Sequence, residues 1–80
     1  MSHSPVLSLA EIPLGRRARI ERFTSEYLSL KFLEMGCLPG EEVSIYRIAP
    51  FGDPIAVMVS GYILSMRLEE ASTIEVTLID

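Results

Sequence analysis

Two pairs of adjacent carboxylates, Glu41-Glu42 and Glu69-Glu70, one thiol, Cys37, and one imidazole, His3, carry this chain's capacity for acid–base, nucleophilic or metal chemistry. Their spacing gives none of these chemistries a working set. Neighbours on a strand point to opposite faces, so neither glutamate pair forms an acid/base couple. Nucleophilic attack by Ser or Cys needs a base within hydrogen-bond reach, and His3 stands alone near the N-terminus. Zinc and iron sites take several clustered Cys, His or carboxylate ligands. No Gly-x-x-x-x-Gly-Lys-Ser/Thr phosphate loop occurs. Cys37 follows a helix C-terminus, where the dipole does not lower a thiol pKa, and reads as a small apolar residue. The expectation is no catalytic residue, no cofactor and no metal site.

The arginines are the remaining candidates. Arg16, Arg17, Arg19 and Arg22 place four of the seven basic residues in one short segment. A net charge of −4 argues against a nucleic-acid partner, whose affinity comes mainly from Lys and Arg on phosphates. The cluster reads as a solvated strand edge guarded by charge, with electrostatic docking onto another protein as the other reading. Arg47 and Arg67 are isolated. An arginine acting in trans on a GTPase fits any exposed arginine, so it singles out none of them.

The elements that must position these residues follow from periodicity. Arg16 to Phe23 alternates as a strand with Ala18 and Ile20 inward. Thr24 or Ser25 is the N-cap of a helix running to Met35, with Glu26 in its first turn. Gly36 stops the helix, and Pro39-Gly40 turns the chain into strand Glu41 to Ala49. Pro50-Phe51-Gly52-Asp53-Pro54 is a hairpin turn, followed by strands Ile55 to Ser60 and Tyr62 to Arg67. Leu68 to Ser72 suits a single 3₁₀ turn, and Ile74 to Ile79 is the last strand. Five short strands close most easily into a small barrel. The expected buried set is Phe32, Val43, Ile45, Val57, Val59, Leu64, Met66, Ile74 and Val76.

At 80 residues and 49% hydrophobic, the chain is read as one domain, 1–80, with residues 1–6 a flexible tail. It has no basic n-region before an apolar core and no run of ~20 apolar residues. A cytoplasmic location without membrane insertion is therefore expected. The helix has a second apolar stripe. Leu28, Phe32 and Met35 share one face; Tyr27, Leu30, Leu33 and Cys37 fall roughly opposite. So small a barrel absorbs one stripe. The other needs cover from Val6 to Ile12 or from a partner, and it is the candidate partner-binding face.

Three segments carry a family resemblance. Lys31-Phe32-Leu33-Glu34-Met35-Gly36-Cys37-Leu38-Pro39-Gly40 resembles the (R/K)-L-x-x-(L/M)-G-(apolar)-x-P-G signature of the ferrous iron transport protein A (FeoA) family. Ala49-Pro50-Phe51-Gly52-Asp53-Pro54 matches its A-P-x-G-D-P hairpin, and Leu64-Ser65-Met66-Arg67-Leu68-Glu69-Glu70-Ala71 resembles its L-(A/S)-L-R-x-x-E-A segment. Phe32 and Met66 stand where leucine is usual, and Cys37 where a bulkier apolar residue is usual. The resemblance implies a mainly β, SH3-like five-stranded barrel with one α-helix between the first and second strands. It also implies a bacterial ferrous iron uptake system. There the chain would be a cytoplasmic accessory module, peripheral at the inner membrane through a membrane Fe²⁺ transporter with a GTP-binding domain. Self-association is a second partner expectation. The alternative is a metal-binding or metal-sensing domain, because the same fold occurs at the C-terminus of iron-dependent repressors.

Overall fold

The computed structural model describes residues 6–79. His3 and the first five residues of the expected tail lie outside the described residues. The elements run β1 (Leu7–Ser8), a 3₁₀ turn (Leu9–Glu11), β2 (Arg17–Phe23), α1 (Glu26–Glu34), β3 (Glu42–Ile48), β4 (Ile55–Val59), β5 (Tyr62–Met66), α2 (Leu68–Ala71) and β6 (Ile74–Leu78). The strands form one antiparallel sheet in the order β1-β6-β2-β3-β4-β5. The five strands expected from the sequence are β2 to β6, and α1 lies between the first and second of them.

Two elements differ from expectation. β1 adds a sixth strand, pairing Leu7 with Val76 and Ser8 with Glu75. Two residues show no alternation to read, so nothing marks them as a strand before the sheet is seen. The turn after them is anchored by the Ser8 N–H donating to Glu11 Oε1 at 2.7 Å, and it sends Leu9 and Ile12 into the core. α2 is a short α-helical turn rather than a 3₁₀ turn. The Asp53 carboxylate accepts from the Leu68 N–H at 3.0 Å, and Glu70 from the Arg67 N–H at 2.8 Å. These two acceptors occupy N–H groups that a helix start leaves without partners.

The core is filled by the inward faces of β2, β3, β4 and β6 together with Phe32. Ala18 and Ile20 on β2, Val43 and Ile45 on β3, Val57 and Val59 on β4, and Ile74 and Val76 on β6 are buried, as is Met66. Phe32 packs its ring 5.4 Å from that of Phe23. Leu64 departs from the expected set and is only half-buried. It sits on β5, which ends the sheet, so its inward face has cover on one side only.

The arginine segment is also placed differently. β2 is an internal strand between β6 and β3, not an edge. Its charged side chains line the outer face, where Arg17 pairs with Glu42 at 3.5 Å and Arg22 with Glu75 at 2.5 Å.

Candidate partner-binding surface

α1 is fixed at both ends by local chemistry. The Ser25 hydroxyl accepts from the Leu28 N–H at 3.1 Å, capping the N-terminus. At the other end Gly36 takes φ +88°, the Gly36 N–H donates to the Leu33 carbonyl at 3.1 Å and the Cys37 N–H to the Phe32 carbonyl at 2.9 Å. This paired closure is a Schellman motif, which reverses the chain and brings the second residue past the cap against the helix's inner side. The Tyr62 hydroxyl of β5 donates to the Met35 carbonyl, tying the helix end to the sheet. A Cβ on Gly36 would overlap that hydroxyl.

The closure corrects the expected partner face. Cys37 is 1% exposed and belongs to the core with Phe32. The helical-wheel angle that grouped it with Tyr27, Leu30 and Leu33 stops applying at Gly36, where the chain leaves the helix. Burial also pushes the Cys37 thiol pKa up, so the thiol stays protonated. The other three residues are open: Tyr27 is 89% exposed, Leu30 60% and Leu33 43%. Val6 to Ile12 does not cover them. Leu9 and Ile12 turn into the core instead, and the 3₁₀ turn packs on α2 and β6.

The flank of this face is polar. Lys31 Nζ reaches Glu70 Oε2 at 2.5 Å, joining α1 to α2. That Lys31 hydrogen bond, followed by the one from the Arg67 N–H, holds the Glu70 carboxyl below the usual carboxylate range. Beside the pair, Lys31 and Glu70 face Pro54, Ser65, Met66 and Arg67 across an open cleft of about 350 Å³.

The remaining titratable candidates are dispersed. Glu41 accepts from the Ser60 hydroxyl, Glu42 pairs with Arg17, and Glu70 with Lys31. Among the described residues no three His, Cys, Asp or Glu side chains come together as a metal-binding group. No helix among them is long and apolar enough to cross a membrane.

Phe51, at the tip of the β3–β4 hairpin, is 99% exposed and was not singled out from the sequence. The signal was present: an aromatic between Pro50 and Gly52-Asp53-Pro54 sits on a turn too tight to fold it back.

The model of the FeoA domain matches residues 7–78. The chain belongs to the FeoA family. A relative in Porphyromonas gingivalis, a fusion of Fe(2+) transport protein A with the Fe(2+) transporter FeoB, is 35% identical over 74 residues. That match takes in 91% of this chain but spans only 9% of the fusion protein's length. The FeoA-like protein of Clostridium acetobutylicum superposes with TM-score 0.89 at 32% identity, over 98% of this chain and 92% of that one. Stenotrophomonas maltophilia FeoA, solved with zinc and described as a procaryotic SH3 domain protein, gives TM-score 0.77 at 28% identity over 88% of each chain. The expected SH3-like, mainly β fold is thereby shown, as is the association of this FeoA domain with ferrous iron transport.

Proposed function

We propose that this FeoA domain is a cytoplasmic accessory module that binds the membrane ferrous iron transporter and modulates its GTP-binding domain or its assembly. The docking face is the outer side of α1, centred on Tyr27 and Leu30, with Leu33 at its margin. The observation that carries the reading is the fusion in the Porphyromonas gingivalis relative, where one polypeptide joins the two partners. A fused pair acts at a high effective concentration, and a separate chain needs an interface of its own to reach the same assembly.

The face has the anatomy of such an interface. An exposed tyrosine and leucine form an apolar centre, and Lys31 and Glu34 supply a charged rim. Aromatic anchors are frequent among the residues that dominate binding energy. The test is a binding titration of the chain against detergent-solubilised transporter, with and without guanine nucleotide. Leu30→Glu is expected to weaken binding about tenfold while the far-ultraviolet circular dichroism stays unchanged. Binding that is indifferent to Leu30→Glu and to Tyr27→Ala would remove α1 as the docking face. No binding by the wild-type chain in either nucleotide state would remove the accessory role.

A further inference from the structure

We infer that the docking face of α1 is one lip of a cleft whose other lip is the tip of the β3–β4 hairpin, and that an apolar segment of the transporter carrying a carboxylate seats between Tyr27 and Phe51. The inference rests on the docking proposed above and adds to it Phe51, Arg67 and the chemistry of the segment received. Tyr27 and Phe51, at 89% and 99%, are the two most exposed large hydrophobic side chains among the described residues. The contacts between elements bring them to the same end of the molecule. α1 runs beside β5 in the opposite direction. Met35 meets Tyr62, the first residue of β5, and Lys31 shares the open cleft with Ser65 and Met66, the last two. Tyr27, one turn before Lys31 on the same side of the helix, therefore lies at the Met66 end. β4 begins there too, because Ile55 pairs with Met66. The tip that carries Phe51 leads into Ile55, and its Pro54 lines the cleft together with Lys31.

The two lips are tied in series. The Asp53 carboxylate accepts from the Leu68 N–H at 3.0 Å, joining the tip to α2, and Glu70 holds Lys31 at 2.5 Å, joining α2 to α1. An aromatic ring on a tethered turn loses little conformational freedom when a partner covers it, so its apolar area converts efficiently into affinity.

Charge selects the segment received. Lys31, Arg67 and Glu70 line the cleft, two cations against one carboxylate, so the cleft keeps a positive charge in a chain whose net charge is −4. Lys31 is engaged by Glu70, whereas the exposed Arg67 guanidinium forms no ion pair among the described residues. A guanidinium offers only donors, in a fork that matches a carboxylate. A carboxylate flanked by apolar side chains thus satisfies Arg67 and covers both aromatic lips at once, while a basic segment is repelled.

The test is a titration of the chain against detergent-solubilised transporter at low and high salt, with Phe51→Ala and Arg67→Gln beside Tyr27→Ala and Leu30→Glu. Phe51 and Arg67 are exposed, and Arg67→Gln keeps the backbone N–H that Glu70 accepts, so both variants are expected to fold as the wild type does. Phe51→Ala is expected to raise the dissociation constant about tenfold. Arg67→Gln is expected to raise it about threefold at low salt and to flatten its dependence on salt. Binding that Leu30→Glu weakens but Phe51→Ala and Arg67→Gln leave unchanged overturns the cleft while the α1 face stands. Binding that depends on Phe51 and not on Tyr27 overturns the pairing of the lips, and an unaltered salt dependence in Arg67→Gln overturns the carboxylate. A wild-type chain that binds no transporter removes the accessory role and this occupant together. Sedimentation with phosphatidylglycerol vesicles, or self-association, that Phe51→Ala abolishes while transporter binding persists assigns the cleft to a lipid surface or a second copy, and overturns the inference.

Discussion

The inner and outer stripes of α1 have similar composition and opposite fates. Inside, Leu28 and Phe32 meet the sheet, and the Gly36 turn folds Cys37 in beside Phe32. Outside, Tyr27 and Leu30 are left largely exposed, at 89% and 60%. The difference teaches that apolar periodicity reports which residues avoid water without reporting who supplies the cover. What decides the inner stripe is geometry at the helix ends: the Ser25 cap, the Gly36 reversal and the Tyr62 hydroxyl. The outer stripe has no such fixture, which suits a surface completed by another molecule.

The contrast is broken most forcefully at Phe32. Phe32→Ala removes a fully buried ring and is expected to cost about 3–5 kcal/mol. That is a large part of the ~5–15 kcal/mol typical of a whole domain. Urea unfolding should show the mutant largely unfolded or at a much lower midpoint; a midpoint near wild type would mean that the ring is not a core member. Gly36→Ala comes next, at about 1–3 kcal/mol, because a side chain at φ +88° is strained and its Cβ displaces the Tyr62 hydroxyl from Met35. Tyr62→Phe in the same background is expected to add less than it does alone, since both changes remove one contact. Additive effects would separate the glycine from the tyrosine.

The Lys31–Glu70 pair lies at the border of the two stripes and is worth less, about 0.2–1 kcal/mol as an exposed ion pair. Its sign with pH is definite. Glu70 titrates below its ordinary value in the folded chain, so its contribution is complete above the ordinary glutamate pKa. It is lost as pH falls through the lower folded value. Glu70→Gln should therefore lower stability near neutrality and leave the difference from wild type to vanish in acid. A difference that persists at the acid end would assign the effect to α2 capping rather than to charge.

Much of this arrangement is legible in the sequence, and the parts that are not have physical reasons. Alternation exposed β2 to β6, and Ser25 with Gly36 bracketed α1, because these signals are local. β1 was illegible because two residues carry no period. The placement of Arg17, Arg19 and Arg22 on an internal strand depends on β6 returning between β1 and β2, a long-range pairing that charge does not announce. Cys37 was misassigned because the helical angle was carried past a residue that ends the helix. On the candidate surface the sequence named Tyr27, Leu30 and Leu33, but it could not decide between intramolecular cover and exposure. That choice turned on Leu9 and Ile12 finding room in the core.

The smallest expected effect is also the sharpest test of the comparison. Leu30→Ser replaces a leucine that is 60% exposed, so little buried apolar area is lost on substitution. The residue is the middle one of α1, away from the Ser25 cap and the Gly36 closure, and serine there gives up only a few tenths of a kcal/mol of helix propensity. The midpoint of urea unfolding is thus expected to move by no more than ~0.5 kcal/mol, as for surface positions generally. The inner neighbour Leu28, half-buried against the core, supplies the internal standard: Leu28→Ser should cost several times more. Equal costs at the two positions would mean that the outer stripe is already packed in the isolated chain. The exposed face of α1 would then have no cover left to gain from a partner.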